Sequence, residues 1–201
     1  MLARQKIAAV TGILAPLIAF TCILTATASD PKFSWTSNAL SDLGIIPGIT
    51  GTLFNFGLIT CGLLALTFAL FGLLQYFQRS LVGKIGTAVF VAAIIALISI
   101  GVFNENFSPT HYLVSVTFFV TLPISLFIIT SVFAIKHQNK LAWFTILMAI
   151  ASAIPWILNF AINYAPNVAI PEFTSGIAGA IWIIAVSYKV LRQNQAQTQN
   201  K

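Results

Sequence analysis

The sequence predicts an all-α polytopic membrane bundle of six transmembrane helices, with a short interfacial helix between the first two. Three observations predict it. Hydrophobic residues make up 58% of the chain and charged residues 7%, whereas a soluble domain carries roughly 25% charged residues. So few charges cannot build a water-facing surface, and most of the exterior must face lipid. Six apolar stretches are each long enough to cross ~30 Å of hydrocarbon at ~1.5 Å per residue. The basic residues fall in alternate loops between those stretches.

Helix 1 is expected over Ile7 to Ser29, which carries no charge and follows Arg4 and Lys6. Ala26-Thr27-Ala28 mimics a signal cleavage site, but the apolar run is longer than a typical signal core. A polar segment from Asp30 to Gly44 follows. Ser34 or Thr36 can cap a short helix there and Gly44 can end it. Trp35, Ala39 and Leu43 recur every four residues, so that helix should lie in the interface with Trp35 near the headgroups. Pro47 and Gly48 turn the chain back.

Helix 2 is expected over Thr52 to Gln75, helix 3 over Lys84 to Phe103 and helix 4 over His111 to Ile135. Helix 4 contains Pro123, which a membrane helix tolerates with a kink. Helix 5 should span Leu141 to Tyr164 and helix 6 Phe173 to Val190. The transmembrane domain is thus placed at residues 1–192. The Gln/Asn-rich residues 193–201 are expected to form a disordered cytoplasmic tail. Cys22 and Cys61 lie in apolar runs and read as small buried residues rather than a redox pair.

Charge sets the expected orientation. With the N-terminus inside, Arg4, Lys6, Arg79, Lys84, Lys136, Lys140, Lys189, Arg192 and Lys201 are all cytoplasmic, and only Lys32 falls outside. The four acids, Asp30, Asp42, Glu105 and Glu172, all fall outside. The positive-inside rule therefore places both termini in the cytoplasm and the protein in the plasma membrane. The net charge of +6 is spread over short loops, which argues against a nucleic-acid partner.

The outer side also collects uncharged polar groups. Asn38 and Asp42 would share a helix face. Asn55 sits near the outer end of helix 2, His111 and Ser115 share a face of helix 4, and Asn159 and Asn163 share a face of helix 5. Such groups are costly at membrane depth unless they meet partners or water, so they should converge on an outward-facing polar pocket or network. In a functional reading His111 is the acid/base group, oriented by Asp42 or Glu105. In a structural reading these side chains cap helices and glue them together. A metal site would need His111 with Asp42, Glu105 or Glu172, short of a usual zinc set, and none is expected. No nucleophile elbow, HExxH or phosphate loop occurs, and no cofactor is implied.

The segment Ser34-Trp35-Thr36-Ser37-Asn38-Ala39-Leu40-Ser41-Asp42-Leu43-Gly44 resembles the hallmark of a prokaryotic six-helix family called domain of unknown function 998. Gly101-Val102-Phe103-Asn104-Glu105-Asn106, then His111-Tyr112-Leu113-Val114-Ser115 with Phe118 and Phe119, extend the resemblance. The arrangement is similar, more distantly, to the DRAM-like family of eukaryotic six-helix proteins, which is linked to membrane-lipid organisation. That resemblance implies roles for Ser41, Asp42, Gly44 and His111. Where its members carry Asp-Thr-Gly, this chain has Asp42-Leu43-Gly44.

The expectation from these readings is a protein that binds or organises membrane lipid through a polar pocket of Asn38, Ser41, Asp42, Asn55, Glu105, His111, Ser115, Asn159 and Asn163. A non-catalytic accessory subunit packed against other membrane proteins is the alternative. A lipid-modifying enzyme or a small transporter is a third reading.

Overall fold

The computed structural model describes the backbone of residues 2–199 and the side chains of residues 4–193. Six long helices account for the architecture: α1 (Leu2–Ser29), α2 (Ile49–Phe68), α3 (Leu81–Val102), α4 (Thr110–Ile135), α5 (Asn139–Ile162) and α6 (Ala169–Gln199). All six contain a stretch long and apolar enough to cross a membrane, and the protein is a multi-pass membrane protein. Among the described residues there is no strand.

Each helix packs on its neighbours in sequence, and α1 also packs on α6. The six thus form a closed ring. Sequential up-and-down packing follows from the short connections, which leave antiparallel neighbours as the accessible arrangement. α5 is the least embedded member, since only 22% of its apolar window is buried. Trp143, Leu147, Ile157 and Phe160 on it are exposed, as suits side chains whose solvent is lipid.

One helix is interrupted by a π turn, and α1, α4 and α5 each carry an internal proline, Pro16, Pro123 and Pro155. α2 runs through a π-helical turn at Ala69–Leu73 before a last turn at Leu74–Tyr76. Gly72 lies against the fully buried Phe68 ring within that turn. α4 carries Pro123 inside a continuous helix. α6 continues through Gln199, past residue 192 where the sequence places the end of the bundle. Gln, Ala and Arg are good helix formers and extend a helix already nucleated by packing. Residues 200 and 201 of the expected tail lie outside the described residues.

The core divides in two. A central cluster holds Phe68, Phe90, Leu126, Phe133, Trp182 and Val186. Trp182 is fully buried and stacks edge-on against Phe90, with centroids 5.1 Å apart. Its indole N–H donates to Thr145 Oγ1 at 3.2 Å, which satisfies the one polar atom the ring carries into the core. A second cluster, including Ile23, Leu40, Leu43, Phe54, Leu58 and Ile100, lies under the segment between α1 and α2. Gly57 lets those two helices close up: a Cβ there would meet Cys22 Cβ at 2.5 Å.

The interfacial helix is shorter than the sequence predicts. It is a 3-10 helix at Leu40–Ile45, and residues 31–37 form turns. Ser34 and Thr36 do not cap it. Instead Ser34 N–H donates to Asn38 Oδ1 at 2.9 Å and Ser37 N–H to Ser34 Oγ at 3.3 Å. These short polar side chains offer the backbone a local alternative to helix. Trp35 packs edge-on against Phe33 and Phe173, so the Trp35–Ala39–Leu43 stripe does not exist as a helix face.

The charges separate to the two ends. Lys136 Nζ at the end of α4 donates to the Tyr76 carbonyl at the end of α2, at 3.4 Å. The Tyr76 hydroxyl donates to Gln138 Oε1 at 2.8 Å. These contacts join the basic loops at one end. At the opposite end, residues 36–44 meet Glu105 and Glu172, which places the acids together.

Candidate functional site

The acidic end is closed by the segment between α1 and α2, which works as a cap stapled to the helices around it. Its first staple is local. Asp42 Oδ2 accepts from Asn38 Nδ2 at 2.7 Å and from the Ala39 N–H at 3.0 Å. Asp42 thereby holds the start of the 3-10 helix, as an acid does three residues into a helix. The other staples reach far in sequence. The Ser41 hydroxyl donates to Glu105 Oε1 at 2.6 Å. The Leu40 N–H donates to Glu172 Oε2 at 2.6 Å, across 132 residues. Asn55 Nδ2 donates to the Gly44 carbonyl at 2.8 Å, and Asn104 Nδ2 reaches the same oxygen at 3.4 Å. Ala169 N–H donates to the Asn38 carbonyl and Asn167 N–H to the Thr36 carbonyl, both at 3.1 Å.

His111 is placed as in the structural reading, not the acid/base one. Its Nδ1 lies 2.7 Å from the Phe103 carbonyl. A carbonyl only accepts, so Nδ1 carries the proton. Nε2 faces the Ser115 hydroxyl at 3.4 Å. The ring is thus oriented by a backbone carbonyl rather than by Asp42 or Glu105. Phe103 ends α3, and its carbonyl is freed by the turn into the next loop; His111, in the first turn of α4, is the donor within reach.

Glu105 lies between Asp42 and His111, close enough for both charges to act on it. Burial raises its carboxyl above the usual carboxylate range. The Ser41 hydrogen bond opposes that shift, the Asp42 carboxylate adds to it, and His111 opposes it. Glu172 is in turn within electrostatic reach of Glu105 and Asp42.

The structure therefore brings Asn38, Ser41, Asp42, Asn55 and Glu105 into one network, with His111 and Ser115 adjoining it. The other two candidates do not join it. Asn159 is buried on α5 with its Oδ1 unpaired among the described residues. Asn163 is exposed and adopts a left-handed backbone (φ 47°) that ends α5, a conformation asparagine tolerates better than most residues.

Beneath the cap lies an apolar cavity of ≈ 130 Å³ lined by α1, α2, α3, α4 and α6. It runs along α3 from Ile100 to Phe90, a rise of ~15 Å, or about half a hydrocarbon core. Its polar lining is Ser41, Ser115 and Glu172, all toward the acidic end. The remaining wall is Ala, Phe, Leu, Ile, Pro, Gly and Cys61. Asn104 and Asn167 were not among the candidates read from sequence, and Glu172 was read as an outer acid and left out of the expected pocket. A carboxylate in the first turn of an otherwise apolar span was the available signal for Glu172. No group of three His, Cys, Asp or Glu close enough to hold a metal ion occurs among the described residues.

A family described as "Protein of unknown function (DUF998)" matches residues 13–189. The chain belongs to that family. The match takes in part of α1 and of α6, all of the four helices between them, the cap segment and the loop carrying Glu105, so this architecture is that of a DUF998 protein. No curated protein and no solved structure matches the chain.

Proposed function

We propose that this DUF998 protein binds a membrane lipid, taking a hydrocarbon chain into the cavity and holding the polar head under the cap. It does so in the plasma membrane, with both termini cytoplasmic and the acidic end facing out. One observation carries the reading: an apolar cavity inside a lipid-embedded bundle, polar only at its acidic end. At ~10–15 Å³ per water-sized group, the cavity takes on the order of ten such groups in a row. That matches part of one chain rather than a whole two-chain lipid. The cap supports the same reading, because its hydrogen bonds fix Ser41 and Glu172 at the top of the cavity. An accessory subunit with no binding site would leave this void without a purpose, and unfilled apolar space costs stability. The basic residues at the opposite end support the orientation.

Gly176 gives the test. It lines the cavity, and a Cβ there would meet only Phe20 Cζ, at 3.6 Å. Gly176→Leu should fill the cavity without disturbing the helices. Mass spectrometry of lipid extracted from purified protein should find a lipid retained by the wild type and depleted in Gly176→Leu. Equal retention in both would remove the reading.

A further inference from the structure

We propose that the head of the bound molecule is a hydrogen-bonding group without negative charge, a hydroxyl or an amine, seated on Glu172. The inference rests on the chain-binding reading above and adds the class of ligand.

Donors and acceptors at the top of the cavity decide the class of head. The three polar residues there are Ser41, Ser115 and Glu172. The Ser41 proton is committed to Glu105 at 2.6 Å. The Ser115 hydroxyl faces His111 Nε2 at 3.4 Å. Glu172 Oε2 is occupied by the Leu40 N–H, while Oε1 has no hydrogen-bond partner among the described residues. Ionised, that oxygen accepts from a ligand; protonated, it donates to one.

The neighbouring groups point the same way. A helix start ordinarily favours anions through its free N–H groups, but in the first turn of α6 only the Ile170 N–H is left without a partner among the described residues. The Ala169 N–H goes to the Asn38 carbonyl, Pro171 has none, and the Glu172 N–H goes to the Val168 carbonyl. No Lys or Arg lines the cavity. Lys32, the one basic residue at this end, is exposed. Asp42 and Glu105 stand close by and are acidic too. A phosphate or carboxylate head would find acidic neighbours and no cation, at a depth where an unpaired charge is expensive. A hydroxyl or amine head would find the free Glu172 Oε1.

The experiment uses the full chain in detergent and photoreactive probes that share a chain of about ten carbons. One probe ends in a hydroxyl, one in an amine, one in a carboxylate and one in a phosphate. Labelled peptides are mapped by mass spectrometry, and labelling at Phe90, Ile94 and Leu122 reports the cavity. The hydroxyl and amine probes should label these residues about tenfold more than the anionic probes, the equivalent of one charge-assisted hydrogen bond. Glu172→Gln supplies donors in place of the carboxylate, so it should narrow that ratio severalfold, chiefly by losing the amine probe. Comparable labelling by anionic and donor heads in the wild type would overturn the head-group proposal and leave chain binding standing. Failure of all four probes to reach the cavity, or labelling that persists in Gly176→Leu, would overturn both.

Discussion

The two ends of the bundle are built by different means. At the acidic end, side chains bond to distant backbone and to distant side chains. Ser41 meets Glu105, Glu172 meets the Leu40 N–H, Asn55 meets the Gly44 carbonyl, and Ser29 meets Thr50 at 2.8 Å. At the basic end, aromatic packing does most of the joining: Phe77 against Phe133, Tyr76 against Phe77, and Lys136 Nζ over both the Tyr76 and Phe77 rings at 5.2 Å. Arg192 likewise lies over its own helix neighbour Tyr188. Basic side chains on long flexible stems can reach water from a helix end, so they orient the protein without organising it. Short acidic and amide side chains cannot reach so far and must find partners on the protein. One end is thus a topology signal and the other a structure.

The difference predicts an ordered series of effects. Asp42→Ala should be the most damaging, because it strands the Asn38 amide and the Ala39 N–H together. A loss of about 2–3 kcal/mol is expected from two bonds to a charged acceptor, read as a fall in the thermal midpoint in detergent. Ser41→Ala removes one bond to Glu105 and should cost about 1–2 kcal/mol by the same assay. Lys136→Ala at the basic end gives up an exposed cation–π contact and a long hydrogen bond, worth about 0.5–1 kcal/mol. Equal losses at the two ends would erase the distinction drawn between them.

Glu105 sharpens the comparison through pH. Its carboxyl is held above the usual range in the folded protein, by burial first and by Asp42 beside it. Folding therefore favours its protonated form. Its contribution to stability is complete below the unfolded carboxylate pKa and is lost as pH rises through the raised folded value. Glu105→Gln should flatten that acid-side dependence in a pH series of thermal midpoints, with a smaller effect at neutral pH than Ser41→Ala. An unchanged pH profile would mean that the carboxyl is not shifted.

The sequence carried the spans well, because long uncharged runs and alternating basic loops are local signals. The Asn38–Asp42 pairing was also legible, since four residues separate them and the bond forms even though the expected helix does not. The longer links were not. Nothing near Leu40 announces Glu172. A histidine bonded to a carbonyl looks the same in sequence as one bonded to a carboxylate. Asn163 sits one turn beyond Asn159, yet a left-handed cap swings it away from the bundle. The cavity was the least legible feature of all. It is a shape left between ordinary Ala, Leu, Ile and Phe side chains, and such residues give no sign of whether their packing closes.

Trp182 offers the most direct look into that shape. It is fully buried, stacks on Phe90 in the cavity wall and neighbours Ile183, which also lines it. The chain has four tryptophans, so replacing Trp35, Trp143 and Trp156 by Phe leaves Trp182 as the sole indole emitter. In bilayers whose lipid chains carry bromine, Trp182 emission should be strongly quenched, and Gly176→Leu should restore it. Trp182 emission as bright in brominated as in unbrominated bilayers would contradict the claim that a lipid chain enters this bundle.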